Sequence, residues 1–553
     1  MNSLKKIKKN LTKQKIDFYL INKNNDYLNE FIEPNENRLR KISNFTGSIG
    51  FALISQDGQS LYVDGRYTLQ AKLQSKQFNI KNILHLKNDL KKIINANKTV
   101  LINPKLFSVN FLKNFNTNNI KYFDDSTQNK TKPEQVVSLN LKYSGLEIKQ
   151  KIKKLQNSIS LKKNFVFLIS SPENIAWLTN LRSLDKKFSY IFNCIAIYKQ
   201  KKIYIFTDKK IKIKNNKYLI FKKTKDLKNI LKDVKEIHFD QKTTSLYYFN
   251  LFKSLKIKTK FFDDPINYLK SIKNNNEISN LKIAHTFDGI AIVKFLYWLE
   301  KNKFKKISEL DCQNKIENFK KKNKYYLGPS FETISAFGKN ASIIHYNAKD
   351  YKTNYLRKNN LYLLDCGSQY FYGTTDMTRT VAIGKQSQHK KLYYTLVLKS
   401  HIKVSNFNLK KNTLGKQIDL LARKLLKLKK LDYNHGTGHG VGYLSNVHEH
   451  PPSISKYSNT KFYQNQVISN EPGYYKDNQF GIRLENLIFI NRNRKFENLT
   501  LVPFDNTMII KNMLSSKEKA WINEYHEDVF EKINKFLTRN ERSYLRKLCL
   551  KIN

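Results

Sequence analysis

LYLLDCGSQYFYGTTDMTRTVAIG, residues 361–384, is the stretch that decides the fold. Its apolar ends, Leu361–Leu364 and Thr380–Ile383, read as neighbouring strands around a glycine-containing turn. Asp365 and Asp376 stand eleven residues apart near the ends of those strands, in a chain with only 45 Asp and Glu against 101 Lys and Arg. An antiparallel pairing brings two such carboxylates together. In an apolar setting they repel each other unless a cation or a proton lies between them. Taken alone, each could equally cap a turn.

Further along, HGTGHGVGYLSNVHEHP (435–451) holds His435, His439, His448 and His450, four of the chain's 11 histidines. Its alternating glycines argue against a regular helix, and so against the helical HExxH zinc motif. They allow close backbone approach instead, and a neutral imidazole is a good ligand for a divalent ion. VISNEPGYY (467–475) reads as a strand, Val467–Asn470, that delivers Glu471 before Pro472-Gly473 stops it. In GIRLENLIFI (481–490) a period of two sets Arg483 and Glu485 on one face and Leu484 on the other. Charge in so apolar a strand needs a partner: an ion pair or a substrate group for Arg483, an ion pair or a metal for Glu485. The four carboxylates and His439 form an oxygen-rich donor set that suits Mn2+, Co2+ or Zn2+ better than a thiolate site would. Four carboxylates can neutralise two divalent ions, and a pair about 3.5–4 Å apart can activate a water and polarise a carbonyl.

Around these segments the chain divides into three blocks and a tail. Residues 1–140 alternate apolar segments with turns, including a hairpin turn at Gln56-Asp57-Gly58, and end in the polar linker DDSTQNKTKPEQ (124–135). Residues 141–270 carry strand-like FVFLIS (165–170), FNCIAIY (192–198) and KIYIFT (202–207), with a helical stretch at Leu227–Val234; an α/β domain follows. Residues 271–537 open with a helix over Glu277–Glu300, apolar at Leu281, Ala284, Phe287, Ala291, Phe295 and Leu299, and close with a helix over Ser516–Leu537 that Ser516 would cap. The basic tail, 538–553, reads as peripheral. No internal repeat stands out.

Bulk properties exclude some classes. The formal charge of +56 suggests a nucleic-acid or anionic-membrane partner. The lysines are spread along the whole chain together with Asn and Ile, however, which is the pattern of compositional drift rather than of a built binding face. No specific nucleic-acid partner is expected. No run of about 18 apolar residues exists, so no membrane span is expected, and the basic N-terminus lacks the apolar core of a signal peptide. Cys194, Cys312, Cys366 and Cys549 are scattered without a CxxC. Reduced thiols and a cytoplasmic location follow.

The ordered set Asp365, Asp376, His439, Glu471 and Glu485 resembles the metal-ligand pattern of the pita-bread metallopeptidases, which include methionine aminopeptidase, prolidase and aminopeptidase P. SFETISAFGKNASIIHY (330–346), HGTGHGVG, NVHEHP, NEPGYY, GIRLEN, TLVPF (500–504) and AWINEYH (520–526) resemble the three-domain aminopeptidase P, or Xaa-Pro aminopeptidase. RLRKISNFTGSIGFALI (38–54), YVDGRYTLQA (62–71) and NIAWLTNLR (174–182) extend that likeness to both earlier blocks. The resemblance implies an α/β (α+β) chain: two creatinase-like N-terminal α/β domains and a pita-bread catalytic domain. It implies two divalent ions, Mn2+ first and Zn2+ or Co2+ otherwise, bridged by a hydroxide. Asp365 would bind one ion, Asp376 and Glu485 would bridge, and His439 and Glu471 would complete the other. Glu471 would act as general base, His448 would stabilise the oxyanion, and His345, His435, His448 and Arg483 would contact the substrate, His345 counting with Glu471 and His448 among the catalytic residues. Substrates would be peptides with proline second, and the protein a homodimer.

Some positions depart from the pattern. Ser183 stands where glycine is common, within an unusual loop, SLDKKFSYIF (183–192); His450 also replaces a common glycine, and Cys366 a small Ser- or Gly-type residue. None removes a ligand. The rival expectations are a prolidase that cleaves Xaa-Pro dipeptides, a pita-bread binding protein without catalysis, and a basic nucleic-acid-binding protein.

Overall fold

The Gln56-Asp57-Gly58 turn closes its hairpin as expected: Phe51–Ile54 pairs antiparallel with Gln59–Val63, and the Ser55 amide donates to the Gly58 carbonyl. The structure, a computed structural model, describes every residue except Met1, Asn114, 125–133, 160–164, Lys214 and 352–353, with the side chains of Asn2 and Ser3 also left aside. Most of the linker expected at 124–135 therefore lies outside the described residues.

The hairpin belongs to a six-stranded sheet ordered Asn79–Asn82, Gln59–Val63, Phe51–Ile54, Phe18–Asn22, Val100–Ile102, Ile120–Tyr122. A second six-stranded sheet runs Leu219–Lys222, Lys202–Phe206, Ile195–Lys199, Val166–Ile169, Glu236–Phe239, Lys258–Phe261. Both follow one plan. The third and fourth strands in sequence are parallel, the first three form an antiparallel meander, and the fifth and sixth add in parallel beside the first. This is an internal repeat of topology that the sequence does not display. The sheets share one hydrophobic cluster, with Leu20, Ile102 and Phe107 from one block and Leu168, Ile197 and Phe239 from the other. The two N-terminal blocks accordingly form a single compact unit, made of Met1–Ser138, Glu147–Asp185 and Ile191–Ile266.

The second unit comprises Leu139–Leu146, Lys186–Tyr190 and Asn267–Asn553. Its first long helix spans Asn275–Asn302, and Asn274 and Glu277 cap it reciprocally, each side chain accepting the other's amide. A three-stranded antiparallel sheet follows, with Asn360–Cys366 between Ile334–Phe337 and Met377–Ile383. A five-stranded sheet runs Glu449–Ile454, Gly438–Gly440, Val467–Asn470, Asn486–Ile490, Phe496–Asn498. The helices Gln388–Ser405, Gly415–Leu428 and Ser516–Ile533 complete the unit's main framework, their apolar faces meeting Leu484, Leu501 and Phe504 in its largest core cluster.

Two expectations change. Ser515, not Ser516, caps the helix Ser516–Ile533, because its hydroxyl accepts the Glu518 amide three residues on. The C-terminal residues are not peripheral either. Thr538 caps a helix, Arg539–Leu548, whose Leu545 is fully buried, and Ile552 is buried in the same core. The basic residues mask a single apolar stripe that is too narrow to stand out by composition. Among the described residues no helix is long and apolar enough to cross a membrane.

Candidate metal centre

Asp365 is the penultimate residue of the strand Asn360–Cys366 and lies opposite Thr378 of Met377–Ile383. Asp376 immediately precedes that partner strand, so one antiparallel ladder carries both carboxylates at the same end, as the spacing predicts. Glu485 arrives from further along the chain. The run 481–490 is not one strand but two: Phe480–Arg483 pairs with Gly473–Lys476, and Asn486–Ile490 with Val467–Asn470. Leu484 and Glu485 form the break, yet the predicted division of sides holds, with Leu484 in the core and Arg483 and Glu485 at the site. The Glu485 amide donates to the Thr378 carbonyl (3.0 Å), which ties the segment to the Asp365 ladder.

His439 sits in the short strand Gly438–Gly440, and its glycines are required by space. A Cβ on Gly438 would lie 1.9 Å from the Ser469 carbonyl oxygen, and one on Gly440 would lie 2.5 Å from that of Glu449. That closeness packs His439 beside the strand Val467–Asn470, which Glu471 follows. The Nδ1 of His439 lies 2.9 Å from the Gly440 carbonyl and donates to it, which leaves the Nε2 lone pair facing the acids. Nε2 is 3.6 Å from Asp376 Oδ2 and 3.6 Å from Glu471 Oε1.

Asp376, His439 and Glu485 offer ligand atoms that all lie within 4.8 Å of one another. Burial, then the neighbouring carboxylates of Glu485, Asp365 and Glu471, hold the Asp376 carboxyl well above the usual carboxylate range. Glu485 is raised in the same way by burial and by Glu471 and Asp365. Burial and Asp365 push Glu471 up to about 7 against the opposing charges of Arg483 and His448. Such a cluster favours either protons or a cation. The donors fit a divalent cation: they are carboxylates and one imidazole with its lone pair exposed, and Asp365 Oδ1 is buried without a hydrogen-bond partner.

Arg483 closes one side of the cluster. Its Nη2 pairs with Asp365 Oδ2, its Nη1 donates to the Tyr475 hydroxyl (2.6 Å) and its Nε to Thr378 Oγ1 (3.1 Å). Of the two partners the sequence leaves open for Arg483, the structure supplies the carboxylate. The Tyr475 hydroxyl lies 2.9 Å from His435 Nε2, and His435 Nδ1 is 3.8 Å from Glu471 Oε2. The His448 ring stands edge-on to that of His439 with centroids 4.4 Å apart. His345 follows Ile344, whose carbonyl accepts from Arg483 Nη1 at 3.5 Å. His450 is exposed. The unusual loop contributes Lys186–Tyr190 to this unit, with the Ser189 hydroxyl donating to Asn446, two residues before His448.

Sequence reading missed the hydroxyl groups that organise the site. Thr378 Oγ1 donates to Glu485 Oε2 (2.7 Å) and accepts from Arg483, Ser469 Oγ donates to Glu471 Oε1 (3.2 Å), and Tyr475 links Arg483 to His435. It also missed Arg423, fully buried, which donates to Asp419 and to the Tyr433 and His435 carbonyls and so holds the start of the HGTGHG segment. A hydroxyl in a strand carries no signal of its own. Arg423 does, lying four residues from Asp419 on the buried face of an amphipathic helix.

Comparisons with known proteins place the chain in a family. Residues 279–492 match metallopeptidase family M24, residues 494–552 the C-terminal region of peptidase M24, and residues 4–127 and 127–277 each a creatinase/prolidase N-terminal domain. The chain is thus a metallopeptidase with the M24 pita-bread fold behind two creatinase-type domains. Probable Xaa-Pro aminopeptidase P of Paracoccidioides brasiliensis (strain Pb03) is 31% identical over 606 residues, which cover 98% of each chain. That of Botryotinia fuckeliana (strain B05.10) is 32% identical and covers 96% of this chain and 89% of its own. The chain belongs to the Xaa-Pro aminopeptidase P family. In fold it matches the X-prolyl aminopeptidase of Caenorhabditis elegans, described as a cytosolic enzyme with a di-nuclear active site, over 100% of this chain and 99% of that one (TM-score 0.88, 24% identity). Prolidase from Pyrococcus furiosus covers only 63% of this chain, at TM-score 0.50 and 24% identity.

Proposed function

We propose that this protein is an Xaa-Pro aminopeptidase that removes the N-terminal residue from peptides whose second residue is proline. Asp365, Asp376, His439, Glu471 and Glu485 would hold two divalent ions, Mn2+ in the first instance. The observation that carries the proposal is the convergence of Asp376, His439 and Glu485 in a chain aligned end to end with Xaa-Pro aminopeptidase P. Prolidase is the weaker reading, since that fold accounts for only 63% of the chain.

When bound, the ions supply positive charge that polarises the scissile carbonyl and makes a nucleophile available at neutral pH. The chain's own groups do the rest. Glu471 accepts the nucleophile's proton and passes it to the leaving proline nitrogen. His448, edge-on to His439, donates toward the oxygen on which negative charge develops. Arg483 holds Asp365 in one orientation through a charge-assisted bond. His345 and His435 face the substrate; the proline peptide nitrogen has no hydrogen, so they read ring shape rather than a donor. A free N-terminal amine bound at the carboxylate-rich centre would restrict cleavage to the first bond. We place the enzyme in the cytoplasm as a homodimer.

Side-by-side hydrolysis of Xaa-Pro dipeptides and Xaa-Pro-Xaa tripeptides by the Mn2+-loaded protein tests this. Faster cleavage of the tripeptides is expected. Turnover confined to dipeptides makes it a prolidase.

A further inference from the structure

Asp288 and Lys320 form an ion pair 3% and 2% exposed, separate from the residues of the metal centre. Asp288 lies in the long helix Asn275–Asn302 and Lys320 ends the helix Glu309–Lys320. Their nitrogen and oxygen are 3.4 Å apart. Asp288 Oδ1 accepts from the Ser368 hydroxyl (2.5 Å) and the Tyr370 hydroxyl (3.1 Å), and its Oδ2 accepts from the Thr375 hydroxyl (2.8 Å). Lys320 Nζ donates to the Gly367 carbonyl (3.2 Å).

All four of those partners lie between Asp365 and Asp376. The connection 366–375 is itself a tight hairpin. Ser368 and Thr375 exchange amide-to-carbonyl bonds, the Thr375 hydroxyl accepts the Ser368 amide (2.9 Å), and a Cβ on Gly367 would lie 2.2 Å from the Thr375 carbonyl oxygen. Thr375 is the residue before Asp376, and Gly367 is two residues after Asp365. The pair thus grips the hairpin from behind at both roots, next to the two carboxylates it presents.

A buried ion pair is a poor source of net stability, because desolvating two charges offsets their attraction. What it supplies is a single arrangement. Three hydroxyls converging on one carboxylate have no equally good alternative geometry, and a shift of the hairpin would strand charge in the core. We infer that Asp288 and Lys320 are positioning residues that set the separation and aim of Asp365 and Asp376, and through them the affinity and ligand geometry of the metal centre. This rests on the metal-centre reading above.

The test uses the full-length protein stripped of metal and titrated with Co2+, followed by calorimetry and by the visible ligand-field bands. Lys320→Met and Asp288→Asn are expected to weaken Co2+ binding about 10- to 100-fold and to shift the bands, whereas Lys320→Arg restores wild-type behaviour. Ser368→Ala removes one contact and leaves no buried charge unpaired. It is expected to fold and show a smaller loss in the same direction, which keeps the test open if Asp288→Asn does not fold. Folded variants with wild-type affinity and bands overturn the inference alone. Wild-type protein that binds no Co2+ overturns the metal-centre reading, and the inference with it.

Discussion

With no cation beside it, Glu471 keeps its proton to about 7 because burial strips its water and Asp365 adds like charge. Its folded value is above its ordinary 4.5, so in metal-free protein its contribution to stability is complete below 4.5 and is lost as pH rises through about 7. Asp376 and Glu485 are raised as well and act in the same direction. A bound divalent ion removes that penalty. The rise in melting temperature on adding Mn2+ should therefore grow from pH 5 to pH 8; a rise independent of pH in thermal melts would contradict it. Glu471→Gln keeps the shape but cannot take a proton, so turnover should fall by about 10²–10⁴-fold with the circular dichroism unchanged. At this scale the charged residues were legible because a carboxylate in an apolar strand has few structural uses. Thr378 and Tyr475 were not, because hydroxyls are ordinary in strands and their value here lies in partners distant along the chain, Glu485 for Thr378 and His435 for Tyr475.

Elements bring the candidate ligands together through backbone fit. The strand Gly438–Gly440 approaches Val467–Asn470 only because Gly438 has no side chain, its Cβ position being 1.9 Å from the Ser469 carbonyl. Gly438→Ala must push the two apart, and with them His439 and Glu471. We predict lost activity and weaker metal binding together with destabilisation of about 1–3 kcal/mol, read from urea unfolding and a metal titration. Unchanged affinity would show that the approach is not needed. Most strands here could be read from apolar runs and turn residues, but pairing could not. That Glu485 closes on Thr378, and that 481–490 breaks at Leu484–Glu485 so that each half joins a different sheet, depends on non-local hydrogen bonds that leave no local period.

On the scale of the whole molecule, the two N-terminal sheets repeat one topology without a readable sequence repeat, since many apolar sequences satisfy the same strand order. The C-terminal residues were misread as peripheral because charge dominates their composition while Leu545 and Ile552 do the packing. Leu545→Ala should cost about 2–5 kcal/mol in chemical denaturation of the intact chain, and a cost near zero would return that helix to the periphery. The positive charge of +56 remains a statement about the surface, where it governs salt-dependent adhesion rather than fold. The family, by contrast, was legible over nearly the whole length, and it narrows metal-assisted hydrolysis to the Xaa-Pro bond. The most direct test is mass-spectrometric detection of the products from matched peptides with proline or alanine second, using protein stripped of metal and then reloaded with Mn2+. Release of the single N-terminal residue only from the proline peptide and only with metal is predicted. No release from folded, metal-loaded protein, or equal release without metal, would contradict it.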